Sequence, residues 1–264
     1  MKKDTVVCSD CLDYLKHIPS GSVDLVFTSP PYAEQRSKAY GGIPERNFPK
    51  WLESVGVEVK RVLKDSGAFV LNIKEHVNKG ARSTYVLKTV YLLSKILMWN
   101  DTFIWNKSNP FPTGNKRRLK DGFEYLYLFT KTPEYKFFPE AVLVKSTSKW
   151  LDSEKRRVNK GSHPVKNGSG MDMQRRYVSD MVRPSNVLTL PVDTTNHEHP
   201  ATFPEGLPEF FIKLLTEEGD MVIDPFMGSG TTQAVAKKLG RHYSGCDLLE
   251  EYVRIAQKRL KEQE

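Results

Sequence analysis

Two short segments of this chain carry residue types that could do chemistry together. The first is Ser29-Pro30-Pro31-Tyr32, which follows directly on the apolar run Val23–Thr28. Two adjacent prolines fix the backbone and carry no N–H, so nearby carbonyls stay free to face a substrate as acceptors. Ser29 adds a hydroxyl acceptor, and Tyr32 adds an aromatic face for a planar base. Such a set suits an exocyclic amine. Its lone pair is delocalised into the ring, and acceptors on its N–H bonds localise that pair for attack on a methyl group. Taken alone, the tetrapeptide reads equally as a strand terminator.

The second segment is Met221-Val-Ile-Asp-Pro-Phe-Met-Gly-Ser-Gly-Thr-Thr232. An apolar strand ends in Asp224-Pro225-Phe226, a Gly228-Ser229-Gly230 turn follows, and Thr231-Thr232 opens a helix. Glycines allow the backbone close to a ligand, and a helix start offers unpaired N–H groups. The loop departs from the phosphate-binding P-loop because no lysine follows the second glycine. It departs from the dinucleotide pattern because Gln233 stands where the third glycine belongs. Asp224 would repel a pyrophosphate but suits an ammonium group. Asp247 ends the next expected strand, where an acid can accept hydrogen bonds from ribose hydroxyls. Together these favour a nucleoside with a cationic, amino-acid-like tail, a description S-adenosylmethionine fits. The alternative is a glycine-rich turn with a capping acid.

Both segments need strand ends to stand on. Apolar runs alternate with segments of helical period, which predicts a parallel sheet with crossover helices. Strands are expected at Thr5–Cys8, Val23–Thr28, Ala68–Ile73, Thr102–Trp105, Glu124–Thr130, Met221–Asp224 and His242–Asp247. Helices are expected at 11–18, 48–63, 82–98, Leu207–Leu215, Thr231–Leu239 and Leu249–Leu260, with a turn at Lys64–Gly67. Trp99, Trp105 and the aromatics of 123–129 are expected in the core. Residues 139–195 are rich in Lys, Arg, Ser, Asn and Gly and show little periodicity. Tyr40-Gly41-Gly42 reads as a lid over substrate or as a plain turn.

Charge divides the chain in the same way. Of 40 Lys and Arg and 32 Asp and Glu in 264 residues, the stretch 114–183 holds 16 and 8, so the whole surplus of +8 lies there. The basic groups include Lys116, Arg117, Arg118, Lys155, Arg156, Arg157, Arg175 and Arg176. A local cationic stretch on a neutral body is expected where a protein meets a polyanion, though a solvated basic surface reads alike. No apolar run reaches the roughly 20 residues of a membrane span. The first residues lack the apolar stretch of a signal peptide, and three cysteines cannot all pair, so a cytoplasmic setting is expected. Cys8-Ser-Asp-Cys11 lacks the second pair of a zinc site, and His197-Glu-His199 fits no helical zinc spacing, so no metal is expected.

The pairing of Ser29–Tyr32 with Asp224–Thr232 resembles the DNA amino-methyltransferases of restriction–modification systems. Their order resembles the permuted beta class, in which the catalytic motif precedes the cofactor motif and a target-recognition region lies between. Further segments resemble the family almost along the whole chain: Asp10-Cys11, Val23–Phe27, His199–Pro204 with Leu207–Leu215, and Asp247–Val253. The resemblance implies an α/β fold, a Rossmann-like methyltransferase sheet, circularly permuted, with an inserted target-recognition region. Residues 1–130 would form the catalytic half, 131–198 the insert and 199–264 the cofactor-binding half.

The resemblance also implies roles. Asp224 and the backbone at Gly228 and Gly230 would hold the methionine portion of S-adenosylmethionine, with Pro225, Ser229, Thr231 and Thr232 completing the loop. Phe226 would pack on the adenine, Asp247 bind the ribose, and Asp10 beside Cys11 meet the adenine amino group. Phe203 and Pro204 would line the methionine side. Ser29 and the Pro30 carbonyl would accept from the target amine, and Pro31 would fix the turn before Tyr32 stacks on a base flipped out of double-stranded DNA. Serine in the first position is more typical of cytosine N4, and aspartate of adenine N6, so N4-cytosine is expected. Adenine N6, an RNA or protein amide, and an inactive DNA-binding protein are the alternatives. C5 methylation is disfavoured because none of the three cysteines follows a proline. Asn72 stands where some relatives carry an acid, so the amine proton is expected to leave to water. A cognate restriction endonuclease is a conceivable partner; monomer or dimer stays open.

Overall fold

The computed structural model describes residues 2–33, 42–78, 80–112, 117–146, 181–192 and 203–262. Two compact units emerge: residues 1–138 with 186–264, and residues 139–185.

The larger unit is built on one eight-stranded sheet. In chain order its strands are β1 (Thr5–Cys8), β2 (Val23–Thr28), β3 (Leu63–Ile73), β6 (Met98–Lys107), β7 (Phe123–Thr130), β10 (Val187–Leu190), β11 (Met221–Asp224) and β12 (His242–Asp247). Across the sheet they lie in the order β1-β12-β11-β2-β3-β7-β6-β10. Every neighbouring pair is parallel except the two involving β7, which runs against both β3 and β6. The expected α/β sheet is present, with one reversed strand. A two-residue hairpin pairing, β4 (Val77–Asn78) with β5 (Ala81–Arg82), stands apart.

Helices cover both faces, which is why the inner strands read as continuous apolar runs. On one side α1 (Cys11–Lys16), α2 (Phe48–Val62) and α3 (Tyr85–Leu93) pack in sequence; on the other, α4 (Gly206–Leu215), α5 (Thr231–Lys238) and α6 (Glu250–Lys261) do the same. β2 is buried at all six positions. α2 turns Leu52, Val55, Val59 and Val62 inward at helical spacing, with Pro49 in its first turn, where the missing N–H costs nothing.

The amino ends of three strands are tied by one buried acid. Asp24 accepts from Lys64 Nζ at 2.7 and 2.8 Å and from the Met221 backbone N–H at 2.9 Å. This tie explains one departure from expectation. Lys64–Gly67 is not a turn but the start of β3, where Leu63 pairs with Val23. β6 is also longer than expected and α3 shorter.

The sheet extends into the region of biased composition. β10 pairs parallel with β6, and Asn186 and the residues after it belong to the larger unit. In the smaller unit, β8 (Val144–Lys145) pairs antiparallel with β9 (Met181–Val182), beside a short 3-10 turn at Pro139–Val142. Lys116, Lys155, Arg156, Arg157, Arg175, Arg176, Tyr40 and His197–Pro200 lie outside the described residues. Among the described residues no helix is long and apolar enough to cross a membrane, and no three His, Cys, Asp or Glu side chains cluster as metal ligands would.

Candidate active site

Sheet register brings the two chemical segments together. Leu25 pairs with Val222 and Val26 with Ile223, so β2 and β11 end side by side and release Ser29 and Pro225 at the same edge. β12 and β1 end at that edge too, Asp247 opposite Cys8. Ligands of open α/β sheets bind at this carboxyl edge.

Asp224 organises the centre. Its Oδ1 accepts from the Thr28 hydroxyl at 2.5 Å and from the Phe226 backbone N–H at 2.9 Å, and its Oδ2 accepts from the Thr232 hydroxyl at 3.0 Å. One carboxylate therefore links the last residue of β2, the turn after β11 and the start of α5. It is fully enclosed, and burial pushes its carboxyl up to about 7 against the pull of those three donors. A cation arriving beside it would restore the charged form.

The loop after Asp224 is shaped for a close approach. Gly228 and Gly230 both have positive φ, and a Cβ at Gly230 would lie 2.7 Å from the Ala256 Cβ on α6. Gly230 is thus required twice, by conformation and by space. Asp247 holds the other flank, accepting from Gly228 N at 3.1 Å and from Leu249 N at 2.9 Å, and burial raises its carboxyl as well. Ser229 Oγ is buried and has no hydrogen-bond partner among the described residues. A hydroxyl left without a partner at this turn fits a ligand supplying one. Gln233, in place of the third glycine, fills the space above Gly245 and donates to the Ser244 carbonyl at 3.1 Å.

The remaining expected residues sit on several elements. Asp10 caps α1 through Oδ1, accepting from Leu12 N at 2.8 Å and more loosely from Asp13 N, which leaves Oδ2 for another donor. Phe226 is half-buried and lies 5.5 Å from Trp51, ring centre to ring centre, at 55°. Phe203 stands edge-on to Phe27 of β2 at 5.3 Å, and Pro204 beside it is half-buried. Cys11 and Cys246 are buried free thiols. Burial, with Asp10 alongside, pushes Cys11 up to about 12, and burial raises Cys246, so neither offers a thiolate. Arg118 donates to Asp121 at 3.1 Å in the loop before β7, and Arg117 is exposed.

In the Ser29–Tyr32 tetrapeptide, Pro30 is buried while Ser29, Pro31 and Tyr32 are half-buried. The Tyr32 phenol donates to Glu124 Oε2 at 2.9 Å, and Lys107 Nζ donates to Oε1 at 2.6 Å. Burial first and the Glu124 charge second hold this phenol well above its ordinary range. Sequence reasoning gave no role to Glu124, Lys107, Thr28 or Trp51. The available signal was Glu124 itself, an acid heading the otherwise apolar run Glu124–Thr130. Asn72 is buried, and its Nδ2 donates to the Tyr125 carbonyl at 3.1 Å.

A strand-end acid, a glycine turn on a helix start and a Ser-Pro-Pro-Tyr segment on the adjacent strand make the combination expected of an amino-methyltransferase site. Comparison with known proteins agrees. Residues 23–258 match the N6/N4 DNA methylase family, and the chain belongs to it: it is an S-adenosylmethionine-dependent DNA amino-methyltransferase of the restriction–modification type. It is 31% identical to the type II methyltransferase M.PvuII of Proteus hauseri, over 92% of this chain and 80% of that protein. It is 28% identical to the DNA adenine methyltransferase YhdJ of Escherichia coli, over 97% of this chain and 82% of that one. The solved structure of PvuII DNA methyltransferase, described as cytosine-N4-specific, superposes with a TM-score of 0.75 at 28% identity, covering 98% of this chain and 86% of that one.

Proposed function

We infer that this protein transfers a methyl group to the N4 amine of cytosine at a short specific site in double-stranded DNA. The observation that carries this reading is Ser29-Pro30-Pro31-Tyr32 at the end of β2, bonded through Thr28 to the acid of the glycine loop. Serine in the first position and the likeness to a cytosine-N4-specific enzyme both support N4 over N6. The likeness to an adenine enzyme at similar identity favours the second reading, adenine N6.

When bound, S-adenosylmethionine supplies an electrophilic methyl on a sulfonium sulfur. The chain's own residues do the rest. Asp224 draws the ammonium end, and the Gly228–Gly230 backbone with Ser229, Thr231 and Thr232 encloses the amino-acid portion. Pro225 turns the chain away from β11, and Phe226 offers a face to the adenine. Asp247 accepts from the ribose, Asp10 beside Cys11 from the adenine amine, and Phe203 and Pro204 close the remaining side. Ser29 Oγ and the Pro30 carbonyl accept the target N–H bonds, and Pro31 and Tyr32 present a stacking face to a base drawn from the duplex. No thiolate or carboxylate base is called for. Catalysis is positioning plus acceptance of the developing N–H acidity, and the amine proton leaves to water.

In this reading residues 131–198 recognise the target, and Lys116, Arg117, Arg118, Lys155, Arg156, Arg157, Arg175 and Arg176 meet phosphates. The setting is the cytoplasm of a prokaryote or its phage, with a restriction endonuclease of the same specificity as a partner in biology. The test is modification-sensitive sequencing of DNA from a host expressing the protein. It should report 4-methylcytosine at one recurrent site, and 6-methyladenine there would establish the second reading.

A further inference from the structure

Two charged residues with no part in the chemistry above converge behind Tyr32. Glu124 and Lys107 lie on the neighbouring antiparallel strands β7 and β6. Glu124 is buried at 7% exposure, and both its oxygens are taken, one by Tyr32 and one by Lys107. The Lys107 ammonium is itself largely enclosed and lies 4.8 Å from the centre of the Trp105 ring. An apolar residue at 124 would pack in this strand with no desolvation cost, whereas a carboxylate is tolerated only with both oxygens satisfied.

Tyr32 sits outside regular structure, so no ladder hydrogen bonds fix its backbone or the rotation of its ring. The pair supplies what the loop lacks. Lys107 donates to one Glu124 oxygen, so the other oxygen is left to accept from the Tyr32 phenol. The phenol donates to that oxygen at 2.9 Å; the bond anchors the ring's outer end, and the in-plane preference of a phenol O–H favours one tilt.

We propose that Glu124 and Lys107 are positioning residues, an ion pair on β7 and β6 that holds the Tyr32 ring at one angle to the target base. The inference rests on the reading of Tyr32 as the stacking residue. It gives the pair no contact with the base and no role in holding the cofactor.

The test compares Glu124→Ala, Glu124→Gln, Tyr32→Phe and the double variant Tyr32→Phe/Glu124→Ala on unmodified genomic DNA with labelled S-adenosylmethionine. Glu124→Ala should lower kcat by about 10- to 100-fold, the cost of a misplaced reacting group, while the cofactor KM stays within about twofold. Glu124→Gln keeps an acceptor oxygen for the phenol and should recover most of that loss. In the Tyr32→Phe background Glu124→Ala should add less than about twofold, because the phenol it acts through is gone. A double variant whose loss equals the product of the two single losses overturns the proposal, as does an unchanged kcat in Glu124→Ala. A second readout does not depend on transfer. In NMR spectra of protein labelled at tyrosine Cζ, the Tyr32 signal is the one lost in Tyr32→Phe. It should keep its neutral position to higher pH in the native protein than in Glu124→Gln, where the raising charge is gone. A Tyr32 signal indifferent to Glu124→Gln overturns the pair. Absence of any methyl transfer by the native protein would instead count against the proposed function, with the NMR signal still deciding whether the pair holds Tyr32.

Discussion

Cofactor affinity should depend on pH through Asp224, in a direction its burial sets. The enclosed carboxyl is pushed up to about 7 with the site open, whereas its ordinary value is 3.8. If only the ionised form draws the cofactor's ammonium, affinity follows the fraction ionised. With a value about 7, that fraction is roughly 0.76 at pH 7.5 and 0.01 at pH 5, so affinity should fall about 75-fold across the interval. Were the acid unperturbed, the same interval would change affinity by less than about 1.1-fold. Calorimetric titration of S-adenosylmethionine at half-unit pH steps measures this directly. Asp224→Asn keeps an oxygen for Thr28 and Phe226 and can meet Thr232 with its amide, so it should bind weakly with a nearly flat profile. A native profile as flat as that of Asp224→Asn would refute the assignment of the ammonium to this acid. Linkage sets a companion sign for stability. A raised carboxyl favours the folded state fully below the unfolded value, and that contribution is lost as pH rises through about 7. The cofactor-free protein should therefore lose stability from this group between about pH 4 and 7, and bound cofactor should offset the loss.

Three further outcomes follow from the same geometry. Gly230→Ala combines a positive φ with a Cβ 2.7 Å from the Ala256 Cβ, so it should destabilise the protein by about 3 kcal/mol in urea denaturation; a loss below about 1 kcal/mol would mean that α6 yields easily. Ser29→Ala should bind cofactor as the native protein does yet transfer about 100-fold more slowly in a single turnover, the usual effect of deleting one polar group aimed at developing charge; an unchanged rate would remove Ser29 as amine acceptor. Neutralising Lys155, Arg156 and Arg157 together should lower the slope of log affinity for DNA against log salt by about 2.7 while leaving cofactor affinity intact; a fall in cofactor affinity would place that charge in the fold instead.

Much of the frame was readable from residue pattern because its signals are local. β2 and β11 are apolar runs ended by proline, and the glycine turn with its following helix is a contiguous string. Even the adjacency of Ser29 and Asp224, far apart in sequence, follows once both are placed at strand ends of a permuted sheet. What escaped depends on cross-strand contact. Lys64–Gly67 has turn composition, but pairing of Leu63 with Val23 and the reach of Lys64 to Asp24 draw it into β3. β10 is a four-residue edge strand with one buried side chain, too short to show a period. Glu124 and Lys107 meet only because β6 and β7 pair antiparallel, a register that composition does not encode. Trp99 was expected in the core and is 52% exposed, its indole N–H donating to the Asp101 carbonyl at 3.1 Å; Trp105 is buried as expected.

The central claim is that Ser29–Tyr32 and the Asp224 loop form one site that methylates an exocyclic amine of DNA. Purified protein incubated with methyl-labelled S-adenosylmethionine and unmodified double-stranded DNA, followed by digestion and mass spectrometry of the nucleosides, tests it in one step. The account predicts label in 4-methylcytosine. Label in 5-methylcytosine, or none in any nucleoside, would contradict it.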